Sequence, residues 1–401
     1  VGDHYTIISA DTHAGGSHAQ YRDYLESRYL DDFDAWRSRY RNPFKDLGDD
    51  RRLRNWDNDM RSRQQLADGI VGEVMFPNTV PPFFPSFVLS APPPKPDEYA
   101  HRLAGIRAHN RWLLDFCSVF PEQRAGVGQI FVNNIEDALA DAKWIVDHGL
   151  RGGLLLPNIP PDATWIEHRL YDPYWEPLWD FCEEADVPVN IHGGTGVPEF
   201  GDVPSARLLY IGEYAFYQQR PFLHLLLSGV FERHPGLRFV MTEMGAYWLP
   251  PLLTRLDQAI RRIRDTGATG ELRYGEESIL PLSATEYFNR NCWVAVSQPK
   301  TPDVDAVLEL GLGRFMWGSD YPHDEGTGPF TREHLRQLFH AWPEDDLKRF
   351  LGGTASKVYG FDLDVLEPLA ERWGPTVAGT REPLLEMPEN PNEALVRGLV
   401  G

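Results

Sequence analysis

Eight short, nearly uninterrupted apolar runs, each followed by a helical or loop stretch, constrain this chain more than any other feature. They cover residues 5–10, 71–77, 126–132, 152–157, 188–192, 237–243, 292–296 and 314–319. A strand with one wet face alternates apolar and polar residues. A strand without that alternation is covered on both faces, as in a parallel sheet. Between the runs the apolar spacing turns helical, as in Leu103, Ile106, Leu113, Leu114 and Phe116. Eight such units in succession predict a distorted (β/α)8 TIM barrel, with an open doubly wound sheet as the alternative because closure leaves no mark on the pattern. No Walker loop and no G-x-G-x-x-G follows the first run, so a phosphate cradle is not expected.

Two stretches interrupt the repeat. Residues 17–67 are polar, Arg-rich and aromatic, and read as a helical and loop excursion. Residues 79–97 are proline-rich and therefore neither helix nor central strand. Phe83, Phe84, Phe87, Val88 and Leu89 make them too apolar for a solvated linker, so an ordered loop is expected, packing as a lid or a subunit contact. One barrel domain over 1–358 follows, with a C-terminal arm over 359–401 that lies on the body or on a partner subunit.

The net charge of −20 argues against nucleic acid, which requires a basic face. No apolar run approaches the ~20 residues of a bilayer span. Cys117, Cys182 and Cys292 are odd in number and far apart. They read as buried free thiols in a reducing, cytoplasmic setting. The expected partners are a small-molecule substrate and a second copy of the chain in a dimer, with neither nucleic acid nor membrane.

Barrel chemistry gathers where strands end at the carboxyl face. Asp11 and His13 end the first strand, two apart, so both can reach one ion. His192 ends the fifth, Glu243 the sixth and Asp320 the eighth, with His323 in the loop beyond. Imidazoles and carboxylates packed this closely need protons or a cation to compensate them. A divalent ion satisfies the set most economically. Oxygen-rich ligation without thiolate suits Zn, Mn or Fe, one ion or two sharing Glu243 or Asp320. His109, His148, His334 and His340 read as helix-surface residues. Phe83, Phe84, Phe87, Tyr210 and Trp248 are candidates for contacting an apolar part of the substrate.

The chain resembles the amidohydrolase superfamily, in the branch similar to aminocarboxymuconate-semialdehyde decarboxylase. Asp11-Thr12-His13, the 171–179 segment YDPYWEPLW, Pro188–Gly193, the 229–235 segment GVFERHP and Gly318-Ser319-Asp320-Tyr321-Pro322-His323 carry the resemblance. It implies a metal-dependent enzyme on a distorted barrel, with Asp11, His13, His192 and Asp320 as ligands. Three positions depart from the family pattern. Asp11 stands where the family often has His or Glu, Glu243 stands where the decarboxylases end their sixth strand in a catalytic histidine, and the fourth strand has no lysine to bridge two metals. The leading expectation is a metal-dependent hydrolase or carboxy-lyase acting on a small carboxylate, with Glu243, His323 or Asp320 in catalytic roles. The alternatives are a non-haem iron monooxygenase and a non-catalytic metal-stabilised scaffold.

Overall fold

The computed structural model describes residues 3–41, 49–86 and 91–398. Eight parallel strands pair in sequence order: β1 Ile7–Ala14, β2 Ile70–Pro77, β3 Arg124–Gln129, β4 Gly153–Leu155, β5 Val189–His192, β6 Phe239–Thr242, β7 Cys292–Ser297 and β8 Phe315–Gly318. The ring closes at the carboxyl end. There the Asp320 amide donates to the Asp11 carbonyl at 3.0 Å and the His13 amide to the Tyr321 carbonyl at 2.7 Å. The structure is thus the expected TIM barrel, not the open sheet.

Period-two alternation divides each strand between two environments. Ile8, Ala10, Val74, Phe76, Ala125, Val127, Leu155, Val240, Ala295 and Met316 fill the barrel interior. Their neighbours Ile7, Met75, Leu154, Val189, Phe239, Val294 and Phe315 pack under the helices. The register of β1 shifts between Ser9 and Thr12, one extra residue against β2. That bulge resets the parity and lets His13 pair with inward-facing Phe76. Helices approach β3 so closely that a Cβ on Gly128 would lie 2.5 Å from Ile145.

The described part of the proline-rich loop packs on its own chain, and Phe87, Val88 and Leu89 lie outside the described residues. Phe84 is buried, and a Cβ on Gly105, in the helix Tyr99–Ser118, would meet the Pro82 carbonyl at 2.3 Å. The C-terminal segment also lies on the body, but it is more regular than an arm. The helix Leu363–Trp373 forms despite an internal Pro368, the residue that masks it in sequence. Leu366 and Ala370 join Tyr359 and Phe361 in the cluster beneath the barrel interior. Further on, Asn392 Nδ2 donates to the carbonyls of Gly326, Thr327 and Gly328 at 2.9, 2.8 and 3.2 Å. His109 and His334 are fully buried, contrary to the surface placement expected of them. The apolar periodicity of a helix names its buried face, but not the polar residues that slip into it. All three cysteines are free and buried, and no helix among the described residues is long and apolar enough to cross a membrane.

Asp68 supplies a pH-dependent element away from the barrel mouth. It accepts from the Thr331 amide at 3.0 Å and from Thr331 Oγ1. Burial raises its carboxyl to about 7, and the Thr331 bonds only partly offset this. The folded chain therefore holds this proton more tightly than the unfolded one. The stability it contributes is complete below about pH 4 and is lost as pH rises through about 7. Asp68→Asn is expected to gain stability over the parent chain by about 2–4 kcal/mol as pH goes from 5 to 8. Urea midpoints of both proteins at the two pH values check this, and an unchanged difference would contradict it.

Candidate metal centre

Three strands end in left-handed backbone at the same face. Glu243 after β6, Gln298 after β7 and Asp320 after β8 have φ of 55°, 41° and 61°. Such conformations cost energy in non-glycine residues and gather where a side chain must be aimed. Here they turn one carboxylate, one amide and a second carboxylate toward the mouth.

Asp11 and His13 are fully buried on β1. His13 Nδ1 lies 3.3 Å from the Pro77 carbonyl, a bond that requires its proton there and leaves the Nε2 lone pair free. That Nε2 stands 3.4 Å from Asp11 Oδ1 and 3.2 Å from Asp320 Oδ1. His192 repeats the arrangement. Its Nδ1 faces the Gly193 carbonyl at 3.1 Å and Glu243 Oε2 at 3.4 Å, and its Nε2 stands 3.5 Å from Asp11 Oδ1. Asp11 Oδ1, His13 Nε2 and His192 Nε2 are buried with no hydrogen-bond partner among the described residues. Ligand atoms held at about 2.0–2.2 Å around one ion stand roughly 3–3.5 Å apart, so this spacing fits a metal. The other oxygens of both acids are engaged, Asp11 Oδ2 by Ser297 Oγ and Asp320 Oδ2 by Gln298 Nε2 at 2.9 Å.

His323 differs from the other two imidazoles. Its Nδ1 lies 2.8 Å from Asp320 Oδ1 and its Nε2 lies 3.1 Å from Asn78 Oδ1. The amide orientation follows from a chain anchored on a backbone carbonyl. Asn55 Nδ2 donates to the Arg52 carbonyl, and Asn78 Nδ2 donates to Asn55 Oδ1. Asn78 Oδ1 can then only accept, so both nitrogens of His323 carry protons. Burial alone would lower its pKa, but Asp320 and Glu243 raise it to about 10. Asp320 is held well below the carboxylate range. Burial opposes this, and His323 and His13 outweigh it. Glu243 is pushed well above the usual value by burial and by Asp320.

Behind β1, Arg61 is wholly buried and donates to the His13 carbonyl at 2.6 Å, to Thr12 Oγ1 at 3.0 Å and to Glu73 Oε2 at 2.7 Å. Burial would raise the Glu73 carboxyl, but Arg61 and Arg124 outweigh it and hold it low. Sequence reasoning missed this support, and it missed Ser297, Gln298 and Asn78 too. They sit on different strands and loops, and no spacing links them. Glu325, also missed, offers an oxygen to the outer group of Glu243, Asp320 and His323.

A cavity of about 680 Å³ opens beside His192, walled by Phe84, Gln129, Leu155, Asn158 and Tyr210 among others. Phe84 and Tyr210 thus line this cavity. Phe83 does not, since it packs into the aromatic group of Tyr29, Phe33, Trp36 and His101. Trp248 is a core residue whose Nε1 donates to the Met244 carbonyl at 2.9 Å. Its place after β6 suggested the mouth, but it sits at the N-terminal end of a helix that packs it inward against Phe222. Phe87 lies outside the described residues.

A parallel eight-stranded barrel with a histidine–carboxylate centre at its carboxyl face is an enzyme architecture of the metal-dependent hydrolase type. The chain belongs to the amidohydrolase family, whose model, described as Amidohydrolase, matches residues 28–361. The chain is similar to the gamma-resorcylate decarboxylase of Rhizobium sp. (strain MTP-10005), 28% identical over 264 residues, 64% of this chain and 76% of that protein. Among solved structures it is similar to 5-carboxyvanillate decarboxylase from Sphingomonas paucimobilis, with a TM-score of 0.64 and 19% identity over 89% of this chain and 100% of that one. A dihydroxybenzoic acid decarboxylase from Polaromonas sp. JS666, with bound manganese and the inhibitor 2-nitroresorcinol, gives a TM-score of 0.59 at 18% identity, covering 89% of this chain and 97% of that one.

Proposed function

We propose that this chain is a metal-dependent carboxy-lyase that releases CO₂ from a small aromatic carboxylate. The observation that carries the reading is the set of three orphaned buried atoms, Asp11 Oδ1, His13 Nε2 and His192 Nε2, spaced for one ion. Asp11, His13, His192 and Asp320 would hold it. When bound, the ion would supply positive charge that polarises the acid's oxygens and stabilises the charge left on the ring as CO₂ departs. The metal is one of Zn, Mn or Fe, and the manganese in the Polaromonas structure supports Mn.

The chain's own residues do the remaining work. The apolar wall of Phe84 and Leu155 seats the ring and excludes water. The C–C bond to the carboxylate breaks, CO₂ leaves, and the ring carbon must receive a proton. Glu243, at the mouth with a quarter of its side chain exposed, delivers it from a carboxyl oxygen. His323 holds Asp320 in place through its Nδ1 proton and, with both nitrogens donating, offers no lone pair to a second ion. The similar proteins named above are decarboxylases, which favours this reaction over hydrolysis and over the monooxygenase alternative.

The test is anaerobic turnover of manganese-loaded protein on 2,6-dihydroxybenzoate, 5-carboxyvanillate and related hydroxybenzoates. One CO₂ per ring lost supports the reading, whereas turnover that requires dioxygen and hydroxylates the ring overturns it. Glu243→Gln is expected to keep the metal and lose about 10²-fold or more in kcat. Loss of metal instead would make Glu243 a ligand.

The helix Ala206–Gln218 leaves Leu208, Ile211 and Phe216 exposed by 72%, 66% and 79%, which supports a homo-oligomer. Light scattering of the parent chain and of Phe216→Glu checks this, the expected result being a dimer that the charge disperses. The three buried thiols support a cytoplasmic setting.

A further inference from the structure

The barrel interior holds a further polar side chain at the level of the metal centre whose amide no described residue satisfies. Gln129 ends β3 two residues after Val127, so the alternation that turns Ala125 and Val127 inward turns Gln129 inward as well. It pairs in register with Leu155 of β4 and lines the same cavity as His192. Its backbone is clamped from both sides by Asn110. The Gln129 amide donates to Asn110 Oδ1 at 2.8 Å, and Asn110 Nδ2 donates to the Gln129 carbonyl at 2.9 Å. Yet the side chain, 1% exposed, has no hydrogen-bond partner at either Oε1 or Nε2 among the described residues. Buried polar groups in folded proteins are nearly always paired, and leaving a whole amide unpaired disfavours the free fold. Arg102, the buried cation of the cavity wall, is engaged at both terminal nitrogens, by Glu98 at 3.6 Å and by the Pro92 carbonyl at 2.7 Å, and leaves only its Nε without a partner among the described residues.

We infer that Gln129 is the specificity-determining residue of the substrate cavity, pairing with a neutral hydrogen-bonding group, a ring hydroxyl, on the β3 side of an aromatic acid. The inference rests on the cavity being the substrate site of the proposed carboxy-lyase. A hydroxyl matches a primary amide because it donates to Oε1 or accepts from Nε2. An apolar substituent of the same size leaves the amide unpaired, and such a site rejects it strongly.

The experiment compares Gln129→Leu with the parent chain, both manganese-loaded. Calorimetry measures the binding of the monohydroxybenzoates against the matching methylbenzoates, and thermal unfolding is followed in parallel. The parent is expected to bind at least one hydroxybenzoate about 10–100-fold tighter than its methyl counterpart, and Gln129→Leu to lose that preference. The melting temperature of Gln129→Leu is expected to hold or rise, because an unpaired buried amide has been removed. Any of three outcomes overturns the inference: no preference in the parent, including no binding of either series; the same preference in the variant; or a melting temperature lowered by several degrees, the mark of a merely structural glutamine. If the preference and its loss are seen but no acid yields CO₂, the carboxy-lyase reading alone fails. If CO₂ is released while the preference is absent, this inference alone fails.

Discussion

Asp320→Ala is expected to leave a folded protein that has lost its metal and about 10³-fold or more of its turnover. The residue is wholly buried, and its Oδ1 stands 3.2 Å from His13 Nε2 and 2.8 Å from His323 Nδ1. Removing it takes away one proposed ligand and the acceptor that fixes His323. It also frees Gln298 Nε2, which points at Oδ2. Charge stabilisation by a bound ion is worth several kcal/mol, at about 1.4 kcal/mol per decade of rate. Because the cluster repels itself without a cation, circular dichroism should change little while metal content and rate fall together. Full activity with metal retained would remove Asp320 from the site.

Arg61→Ala is expected to be the most destabilising single change, at about 3–5 kcal/mol. The guanidinium reaches no substrate. It neutralises buried Glu73 and holds the His13 carbonyl and the Thr12 hydroxyl, so it fixes the strand from which a ligand projects. Without it Glu73 keeps Arg124 at 3.4 Å, the Gln65 amide at 2.8 Å and the Thr12 hydroxyl at 3.3 Å. A double variant, Arg61→Met with Glu73→Gln, should recover much of the loss, because the uncompensated charge goes with its partner. Urea unfolding of the three proteins checks this. Equal instability of the single and double variants would show that packing, and not charge, is at stake.

The barrel was legible because burial on both faces suppresses alternation, and that pattern repeats eight times. The strand-end histidines and acids were legible because a parallel barrel sends every strand's carboxyl end to one face. What sequence could not supply was anything that depends on which strands are neighbours. Arg61 and Glu73 lie twelve residues apart, yet they act on His13, 48 residues from Arg61. Gln298 and Asn78 reach Asp320 and His323 across loops with no shared period. Trp248 shows the opposite error, since proximity to a strand end says nothing about the face a helix turns inward. The role of Gln129 was invisible for a related reason. A lone glutamine in an apolar run signals nothing until the fold shows that no described residue reaches it.

Metal stoichiometry is the sharpest test of a single-ion centre. The parent chain and the variant carrying His13→Ala with His192→Ala would be loaded with manganese, desalted, and measured by elemental analysis, with circular dichroism confirming the fold. About one ion per parent chain and almost none in the folded variant are expected, because both orphaned nitrogens are gone. A folded variant that keeps its full equivalent would contradict such a centre. So would a parent chain that holds two, since His323 would then be a ligand and not the imidazolium its hydrogen bonds describe.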